Sequence, residues 1–481
     1  MNLEDIHLRK VEMENCLIIL FGITGDLSKK RIVPAIYELL KDKDIKNCRI
    51  LGIARRNITT GEILNESKSY IKNFEKDSFD ELKKNFNYFS LYFNDTKRYE
   101  DLVTFIKEIE EKYNIKNRVF YLSVSPEFYE PIISNIKKYG LNKNKGFNRI
   151  ILEKPFGNNL ASAKKLNTVL RNVFSENEIF RIDHYLGKDI VQDIITLRFT
   201  NKILKSIWNK DNISHIQIIS TENYGIEGRG EYYDKFGAVK DFVQSHVVQL
   251  LALTTVDAPE KLSGEYLRNH KIKILKNIKI EEVVLGQYER YKNESKVDRN
   301  SKTETLAALK IFVNMKNWKG IPIYVIHGKQ LKDKLTTIYV EFKHSECLML
   351  DKKCYYEPNY LNLQIFPNEG FYLRLNSRNP FNDDIISVKM SYCHECIFPG
   401  GSDAYKKLLK EVMKGNPLLF IRSDEVLEQW RIVEQIKKKT SHLQIYKKGK
   451  LPEKAFNLIK KDGLDWHLEI DDPNIFIPAE K

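Results

Sequence analysis

The sequence lacks an apolar run long enough to cross a membrane. Its longest uncharged stretch in an apolar context extends from Phe242 to Val256, whereas a membrane helix needs about 18 or more apolar residues. The first residues, MNLEDIHLRK, carry acids where a secretory signal peptide needs a basic segment followed by an apolar one. We therefore expect a cytoplasmic protein without a membrane partner.

Cysteine is scarce, with 6 in 481 residues at irregular spacing. This usage does not suggest a disulfide framework and is typical of a reducing compartment. The motif CHEC at 393–396 has the spacing of half a metal-binding knuckle, and Cys347 and Cys354 are the remaining candidates for ligands. Because their spacing does not form a second knuckle, we predict no metal site.

The sequence contains no internal repeat and no low-complexity linker. Hydrophobic residues make up 42% and charged residues 30%, which is ordinary globular usage and excludes a disordered or fibrous chain. The chain also exceeds the size of about 250 to 300 residues at which single cores stop growing, so more than one domain is expected.

The chain is basic, with 79 Lys and Arg against 65 Asp and Glu, a net charge of +14. Such a charge suits nucleic acid, a membrane surface or anionic metabolites. No basic motif interleaved with aromatic residues and no zinc-finger spacing supports nucleic-acid binding. Small anionic ligands are the remaining prediction.

The first part of the chain alternates strand and helix patterns. Apolar runs at 16–21, 48–55, 118–126 and 147–157 are separated by segments with helical spacing. This alternation predicts an α/β domain of the Rossmann type, with a parallel sheet and helices on both faces.

The pattern changes after residue 183. A helix with Ile190, Ile194 and Leu197 on one stripe is followed by an alternating run at 215–225, and six further strand-like runs lie between 306 and 392. We predict a larger α+β domain with a broad, mostly antiparallel sheet. The predicted domains are residues 1–183 and 184–481.

The turn after the first strand carries two glycines, Gly22 and Gly25. They match the last two glycines of the dinucleotide fingerprint, and Leu20 stands where the first would be. Backbone amides at the start of the following helix can hold a pyrophosphate. The alternative is a tight strand-to-helix turn without a ligand.

Arg55 and Arg56 follow the second strand, where NAD-binding domains carry an acid for the ribose hydroxyls. An arginine at this position suits a 2′-phosphate, which favours NADP. The segment 29–31, Lys-Lys-Arg, is expected to add positive potential at the same corner. The alternative for each charge is simple exposure to solvent.

Two polar motifs lie beside predicted elements. Glu153-Lys154-Pro155 ends one strand, at the sheet edge where open parallel sheets bind ligands. The octapeptide RIDHYLGK at 181–188 places an acid, an imidazole, a phenol and an ammonium just before a helix, which makes a candidate anion site. The alternatives are a strand terminated by proline and a polar domain junction.

His246 lies on a helical stripe with Val239, Phe242 and Leu250, which is also the pattern of a core histidine. It can act as a general base if a carboxylate fixes its tautomer, and Asp183 is the candidate carboxylate.

Taken together, the Gly22–Gly25 turn, Glu153-Lys154-Pro155, RIDHYLGK, TENYGIEGRG (221–230), Asp241 with His246, and Gly328-Lys329 resemble the glucose-6-phosphate dehydrogenase family. The resemblance spans nearly the whole chain. It implies oxidation of glucose 6-phosphate at C1 with NADP, giving 6-phosphogluconolactone and NADPH, the first step of the oxidative pentose phosphate pathway. It also implies a homodimer or homotetramer.

The resemblance assigns roles to single residues. His246 would be the general base and Asp183 its supporting carboxylate. Substrate binding would fall to Lys154, His184, Tyr185, Lys188, Glu222, Asp241, Lys329 and Lys334. Cofactor binding would fall to Gly22, Thr24, Gly25, Asp26, Leu27, Arg55 and Lys154.

The sequence departs from the family pattern at three places: Lys334 stands where an arginine is common, His327 precedes Gly328, and residues 289–300 do not resemble the usual loop. Rival interpretations are another NAD(P)-dependent sugar oxidoreductase and a non-catalytic sugar-phosphate sensor.

Overall fold

A computed structural model describes residues 15–45, 48–258, 263–345, 356–382, 384–398, 403–439 and 442–472. The chain divides into two compact units, one of residues 1–187 with 402–426 and one of residues 188–401 with 427–481. The division into domains 1–183 and 184–481 stays a prediction. The compact units have different boundaries, since the first unit extends to residue 187 and also includes residues 402–426.

The strands within the described residues are β1 (Cys16–Phe21), β2 (Arg49–Ala54), β3 (Phe86–Ser90), β4 (Asn117–Leu122), β5 (Asn148–Leu152), β6 (Ile179–Ile182), β7 (Ile213–Thr221), β8 (Ile278–Tyr288), β9 (Leu306–Val313), β10 (Ile323–Gly328), β11 (Leu335–Phe342), β12 (Tyr360–Phe366), β13 (Gly370–Arg378), β14 (Ile385–Cys393), β15 (Phe420–Ile421) and β16 (Gln444–Tyr446).

The α-helices within the same residues are α1 (Val33–Lys41), α2 (Thr60–Lys68), α3 (Lys76–Lys84), α4 (Arg98–Tyr113), α5 (Tyr129–Lys138), α6 (Leu160–Arg171), α7 (Asp189–Thr200), α8 (Lys202–Ile207), α9 (Gly230–Ala238), α10 (Val248–Thr255), α11 (Gly264–Lys276), α12 (His394–Ile397), α13 (Ala404–Lys414), α14 (Ser423–Lys439) and α15 (Glu453–Lys460). None of them is both long and apolar enough to cross a membrane.

The first unit is built on a seven-stranded sheet in the order β15-β6-β5-β4-β1-β2-β3. All neighbouring strands from β3 to β6 run parallel. Every residue of β1 and of β4 is buried, as expected for a parallel sheet whose two faces are both covered. The predicted Rossmann-type sheet is confirmed, and the strand order reverses between β1 and β4, the place where such sheets bind ligands.

The segment 402–426 joins this unit through β15 and α13. β15 pairs antiparallel with β6, with Phe420 opposite Ile182, and the rings of Phe180 and Phe420 meet edge to face at 4.8 Å. Leu408 and Val412 of α13 belong to the same buried cluster as β1 and α1. The pattern beyond residue 403 predicts the helix but not this two-residue strand, which depends on a partner far away in the sequence.

The second unit is built on a nine-stranded sheet in the order β14-β13-β12-β11-β7-β10-β9-β8-β16. The pairs β7–β10 and β8–β16 are parallel, and the other pairs are antiparallel. This confirms the predicted broad, mostly antiparallel sheet. Strand β8 was not expected, because charged residues at 279, 281 and 282 and a register shift between Ile280 and Glu282 interrupt its alternation.

The helical stretch predicted near 239–254 begins as a π-helical segment, Val239–Val247, and continues as α10. Just before it, Gly237 has a φ of 67°, and a side chain there would lie 2.6 Å from Oε1 of Glu304. The same carboxylate accepts the backbone N–H of Val239 at 3.1 Å. Glycine at 237 therefore lets Glu304 approach and fix the start of the segment that carries His246.

Candidate functional site

The predicted site residues are distributed over both compact units. The first unit carries the glycine turn, Arg55, Lys154, Asp183, His184 and Tyr185. The second carries Lys188, Glu222, Asp241, His246, Lys329 and Lys334.

The glycine turn lies directly after β1 at the point where the strand order reverses. Gly22 has a φ of 84°, and a Cβ there would lie 2.1 Å from the carbonyl oxygen of Ser123. The Ser28 hydroxyl donates to the carbonyl of Gly22 at 3.0 Å, and the N–H of Gly25 donates to the same carbonyl at 2.9 Å. The backbone is thus held close to β4 in a way that only glycine permits.

Arg55 and Arg56 lie at the end of β2 with exposed side chains. The Tyr88 hydroxyl donates to the carbonyls of Ala54, at 3.0 Å, and of Arg56, so the backbone of this corner is fixed by β3. Within the described part of the chain, neither guanidinium has an ion-pair partner, which leaves both charges available to an anionic ligand.

The segment 29–31 does not supply the free positive potential that the sequence suggests. Lys29 pairs with Glu66, Lys30 with Asp26 at 3.1 Å, and Arg31 with Asp403 at 3.6 Å. The expectation was wrong because the acidic partners, apart from Asp26, come from distant parts of the chain. The pairing also occupies the carboxylate of Asp26.

Glu153-Lys154-Pro155 follows β5, and the Lys154–Pro155 peptide bond is cis. The Tyr121 hydroxyl donates to Oε1 of Glu153 at 2.6 Å, and the Tyr129 hydroxyl donates to its carbonyl at 2.6 Å. Burial raises the pKa of Glu153 to about 7, and nearby Asp183 adds to the rise, while the Tyr121 hydrogen bond and Lys154 oppose it. The sequence pattern did not single out Glu153 as a titrating group, because its burial is a tertiary property.

Asp183 follows β6 and is 1% exposed. Its Oδ1 accepts the backbone N–H of Tyr185 at 3.0 Å, which fixes the carboxylate against the 3₁₀ turn His184–Gly187. The rings of His184 and Tyr405 are nearly parallel, with an interplanar angle of 9° and a centroid distance of 6.4 Å. Gly187 closes the turn, where a side chain would lie 2.8 Å from the carbonyl of Ala404.

His246 lies in the second unit on the π-helical segment and is 2% exposed. Its ring meets that of Phe242 edge to face at 4.9 Å. The ring of His327 also contacts Phe242 and stacks on it at 4.1 Å with an interplanar angle of 5°. Phe242 therefore lies against two imidazoles, one of them the predicted base.

His327 is a buried imidazole held in the neutral form. Its Nδ1 lies 3.0 Å from the carbonyl of Ser220, and burial lowers its pKa to about 4, even though Glu222 and Asp241 favour the cation. The sequence marked His327 only as a departure from the family pattern. Its contact with Phe242 requires the fold.

Glu222 and Lys329 form an ion pair between the ends of neighbouring strands β7 and β10. Lys329 is 2% exposed, and the Tyr224 hydroxyl donates to the other carboxylate oxygen of Glu222 at 2.8 Å. Burial on its own would raise the pKa of Glu222, but Lys329, His327 and these hydrogen bonds outweigh burial and lower it. Glu222 is therefore an ionised acceptor at neutral pH.

Asp241 accepts the Tyr232 hydroxyl at 3.1 Å on Oδ1. It precedes Phe242 and lies close enough to His327 to influence its pKa, as do Glu222 and Lys329. The structure thus brings Glu222, Asp241 and Lys329 into one neighbourhood of the second unit, and Phe242 connects this neighbourhood to His246.

Lys188 and Lys334 both lie near the end of β12. The ammonium of Lys188 pairs with Glu369 at 2.7 Å and lies 3.4 Å from the carbonyl of Ile365. That of Lys334 lies 4.2 Å from the ring centroid of Phe366. Sequence reasoning did not identify Glu369 as the partner of Lys188, because the two residues are 181 positions apart.

The cysteines of the CHEC motif, Cys393 and Cys396, are joined in a disulfide, so their sulfurs are bonded to each other and not available as thiolate ligands. Cys16 and Cys48 are free and buried. Cys347 and Cys354, the other two metal-ligand candidates, lie outside the described residues. The sequence did not predict this disulfide, although a single pair does not form a disulfide framework.

Both parts of the chain match known domain families. Residues 19–193 match the domain family described as glucose-6-phosphate dehydrogenase, NAD binding domain, and residues 195–467 match glucose-6-phosphate dehydrogenase, C-terminal domain.

Among individual relatives, the glucose-6-phosphate 1-dehydrogenase of Borreliella burgdorferi is 36% identical over 95% of this chain and 99% of its own length. That of Bacillus subtilis is 33% identical over 95% and 99%.

Solved structures agree with these matches. A glucose-6-phosphate dehydrogenase in complex with its substrate glucose-6-phosphate superposes with a TM-score of 0.89 at 29% identity, covering 95% of this chain and 99% of that one. The glucose-6-phosphate 1-dehydrogenase of Mycobacterium avium gives a TM-score of 0.85 at 32% identity over 96% and 100%. With both domain families matched and relatives above 30% identity over nearly its full length, this chain belongs to the glucose-6-phosphate dehydrogenase family.

Proposed function

We propose that this protein oxidises glucose 6-phosphate at C1, with hydride transfer to NADP⁺, giving 6-phosphogluconolactone and NADPH. The observation that carries the proposal is the buried His246 in the unit that also holds Asp241 and the ion pair of Glu222 with Lys329. These groups are those that the family resemblance assigns to base catalysis and hexose binding. The enzyme is an oxidoreductase of carbohydrate metabolism, as its family membership states.

His246 is assigned the removal of the C1 hydroxyl proton. A base in this role must be neutral before the reaction and must accept a proton during it. Asp183, fixed by the N–H of Tyr185, is assigned the role of the carboxylate that orients the imidazole and stabilises the imidazolium. This pairing of Asp183 with His246 comes from the resemblance.

Glu222 and Asp241 are assigned the hydroxyl groups of the hexose. Each already accepts a hydrogen bond from a tyrosine hydroxyl, Tyr224 or Tyr232, which helps to hold the carboxylate in place. His184, Tyr185 and Lys188 are assigned the substrate phosphate. Lys154 is assigned the positioning of the substrate at the sheet edge, and Lys329 and Lys334 complete the pocket. Ammonium and imidazole donors suit a dianionic phosphate.

A nicotinamide dinucleotide is the cofactor expected of the matched NAD binding domain. The Gly22 turn fits it, because glycine lets the backbone of the turn lie close to Ser123, just before a helix N-terminus whose backbone amides can bind phosphate groups. Gly25, Thr24, Asp26, Leu27 and Lys154 complete the proposed contacts. When bound there, the cofactor supplies the hydride acceptor.

We infer NADP as the preferred cofactor from Arg55, whose guanidinium is exposed and has no ion-pair partner within the described residues. Arg55→Ala is expected to lower the ratio of kcat/KM for NADP to that for NAD by about tenfold to a hundredfold, the effect of losing one hydrogen bond to a charged group. Steady-state kinetics with both cofactors measures the ratio. Lys112→Ala, at the exposed end of α4, is the matched control, and an unchanged ratio for Arg55→Ala would show that the 2′-phosphate binds elsewhere.

The whole proposal is tested by absorbance at 340 nm with glucose 6-phosphate and either cofactor. We expect a rise that depends on the phosphate group, with glucose a much poorer substrate. If glucose 6-phosphate binds but no absorbance rise follows with either cofactor, the protein is a sugar-phosphate sensor. A rise with another sugar alone would indicate a different sugar oxidoreductase.

We also propose a homodimer or homotetramer in the cytoplasm, without nucleic-acid or membrane partners. The family resemblance supports the assembly, and one relative, from Arabidopsis thaliana, is named as cytoplasmic. Light scattering coupled to size-exclusion chromatography tests the assembly, and a monomeric mass at micromolar concentration would refute it.

A further inference from the structure

The Cys393–Cys396 disulfide lies at the surface of the second unit, where β14 ends and α12 begins. Cys396 is exposed and Cys393 is half-buried. The other described cysteines, Cys16 and Cys48, are both buried, with their sulfurs 3.2 Å apart. Of the cysteines that the structure describes, those at 393 and 396 are therefore the ones that an external thiol can reach.

The disulfide closes a very short loop, since only two residues separate the cysteines. In the chain-entropy account, a cross-link stabilises a fold by restricting the unfolded chain, and the effect falls as the loop shortens. A purely structural role is therefore a weak explanation for this pair. Two cysteines at this spacing are also the arrangement in which one thiol resolves a mixed disulfide formed at the other.

The surroundings favour exchange at Cys396. The backbone N–H of Cys396 donates to Sγ of Cys393 at 3.1 Å, and such a hydrogen bond stabilises a departing thiolate. Attack on the exposed sulfur of Cys396 therefore releases the sulfur that is already hydrogen-bonded. The leaving thiolate's pKa and the access to the attacked sulfur are the factors that govern thiol–disulfide exchange.

His394, one of the two residues between the cysteines, connects the pair to the surroundings of Lys188. The backbone N–H of His394 donates to the carbonyl of Glu369 at 2.8 Å, and the carboxylate of Glu369 holds the ammonium of Lys188 at 2.7 Å. The His394 ring lies 3.4 Å from the carboxylate of Asp189, the residue after Lys188. The segment closed by the disulfide is thus packed against the start of α7.

We propose that Cys393 and Cys396 form a thiol–disulfide exchange site, reduced by a dithiol, that sets how firmly Glu369 holds Lys188. The dithiol attacks Sγ of Cys396, the Cys393 thiolate leaves and is protonated, and the second thiol of the reductant then releases Cys396. The reductant loses two electrons and two protons and becomes a disulfide, and the two cysteines gain them.

The functional consequence rests on the proposed function of Lys188 as a ligand of the substrate phosphate. While the disulfide is closed, His394 is held against Glu369, and the Glu369 carboxylate competes with phosphate for the Lys188 ammonium. Reduction releases residues 394–397 from this constraint and weakens the ion pair. The reduced enzyme therefore binds the phosphate dianion more tightly, with chemistry at C1 unchanged.

The exchange site is tested first without any activity measurement. The full-length protein is equilibrated in dithiothreitol buffers of graded ratio of dithiol to disulfide, trapped with N-ethylmaleimide, and digested for mass spectrometry. We expect Cys393 and Cys396 to become alkylated together in the folded protein. Their peptide is measured separately from the peptides that contain Cys16, Cys48, Cys347 and Cys354. Alkylation under fully oxidising conditions, or none before the protein unfolds, would overturn the exchange site.

The link to Lys188 is tested by kinetics on protein from the same dithiothreitol buffers, assayed before trapping and digestion. Reduction is expected to lower KM for glucose 6-phosphate by about threefold to fivefold, the scale of a partly exposed ion pair, with kcat unchanged. The double variant Cys393→Ser/Cys396→Ser and the variant Glu369→Gln should both show the low KM in either redox state. The control Cys347→Ser/Cys354→Ser should keep the redox response.

The outcomes separate the two proposals. Joint alkylation with an unchanged KM would leave the exchange chemistry standing and refute its link to Lys188. Absence of turnover with glucose 6-phosphate in both redox states would refute the proposed function, while the alkylation pattern would still decide whether the exchange site exists.

Discussion

His246, Phe242 and His327 show how a residue's chemistry depends on its immediate neighbours. Both imidazoles contact the ring of Phe242, and burial keeps His327 neutral with a pKa of about 4. A neutral ring stacked on Phe242 adds no charge beside the proposed base. The base can therefore accept a proton without repulsion from a second imidazolium.

His246→Asn is expected to reduce kcat by about a hundredfold or more, because general-base catalysis contributes on that order. KM for glucose 6-phosphate should change little, since the substrate contacts proposed above come from other side chains. Steady-state kinetics followed by absorbance at 340 nm measures kcat and KM. The exposed His442, changed to Asn, is the matched control, and wild-type rates for His246→Asn would refute the assignment of the base.

The raised pKa of Glu153 predicts that the stability of the fold depends on pH. Its pKa of about 7 in the folded protein exceeds the ordinary value of 4.5, so the folded state binds this proton more tightly than the unfolded state does. The stability gained from the bound proton is complete below pH 4.5 and is lost as pH rises through about 7. Above that pH, an ionised and buried Glu153 destabilises the fold.

Glu153→Gln should therefore become increasingly more stable than the wild type between pH 5 and pH 8, by at most on the order of 3 kcal/mol. Urea unfolding at several pH values measures the difference. Glu130→Gln, at a side chain that is 50% exposed, should show no such trend. A difference that stays flat with pH for Glu153→Gln would contradict the raised pKa.

Among the structural elements, the turn between β1 and α1 was the easiest to identify from sequence. Its glycines, the preceding apolar run and the following helical spacing are all local signals. Strand β8 and strand β15 were missed for opposite reasons. Charges and a register shift interrupt the alternation of β8, whereas β15 has only two residues, too few for any period to be visible.

Gly22→Ala is expected to raise KM for NADP by about tenfold or more and to leave KM for glucose 6-phosphate nearly unchanged. The added Cβ would lie 2.1 Å from a backbone carbonyl oxygen of Ser123, so the turn must shift away from the sheet. The matched control is Gly140→Ala, which has a φ of 67° but open space around the added atom. A KM for NADP that matches this control would show that the turn does not hold the cofactor.

On the scale of the whole molecule, the chain forms two compact units, and the first is completed by residues 402–426. Arg149 of β5 is one of the residues that secure this late segment. Its guanidinium donates to the carbonyls of Val412 and Met413 at 2.8 and 2.5 Å, and these carbonyls lie in the last turn of α13. An arginine at a helix C-terminus satisfies carbonyls that have no partner within the helix.

Arg149→Met is expected to lower the free energy of unfolding by about 2 kcal/mol, the cost of losing hydrogen bonds from a charged donor. Proteolysis should then cut first within residues 402–426, detected by mass spectrometry of the fragments. Lys165→Met, at a surface side chain that is 68% exposed, serves as the control. Equal stability of the two variants would show that Arg149 does not secure the late segment.

The sequence by itself determined the two sheet types, the glycine turn, the place of Arg55 after the second strand and the family, because these depend on local periodicity and on motifs contiguous in the chain. The tertiary structure alone decided which charges are free. It pairs Lys29, Arg31 and Lys188 with acids from distant segments and raises the pKa of Glu153 by burial. It also joins Cys393 to Cys396 beside Glu369. Electrostatic environment and burial arise from contacts between residues far apart in sequence, and no local pattern contains them.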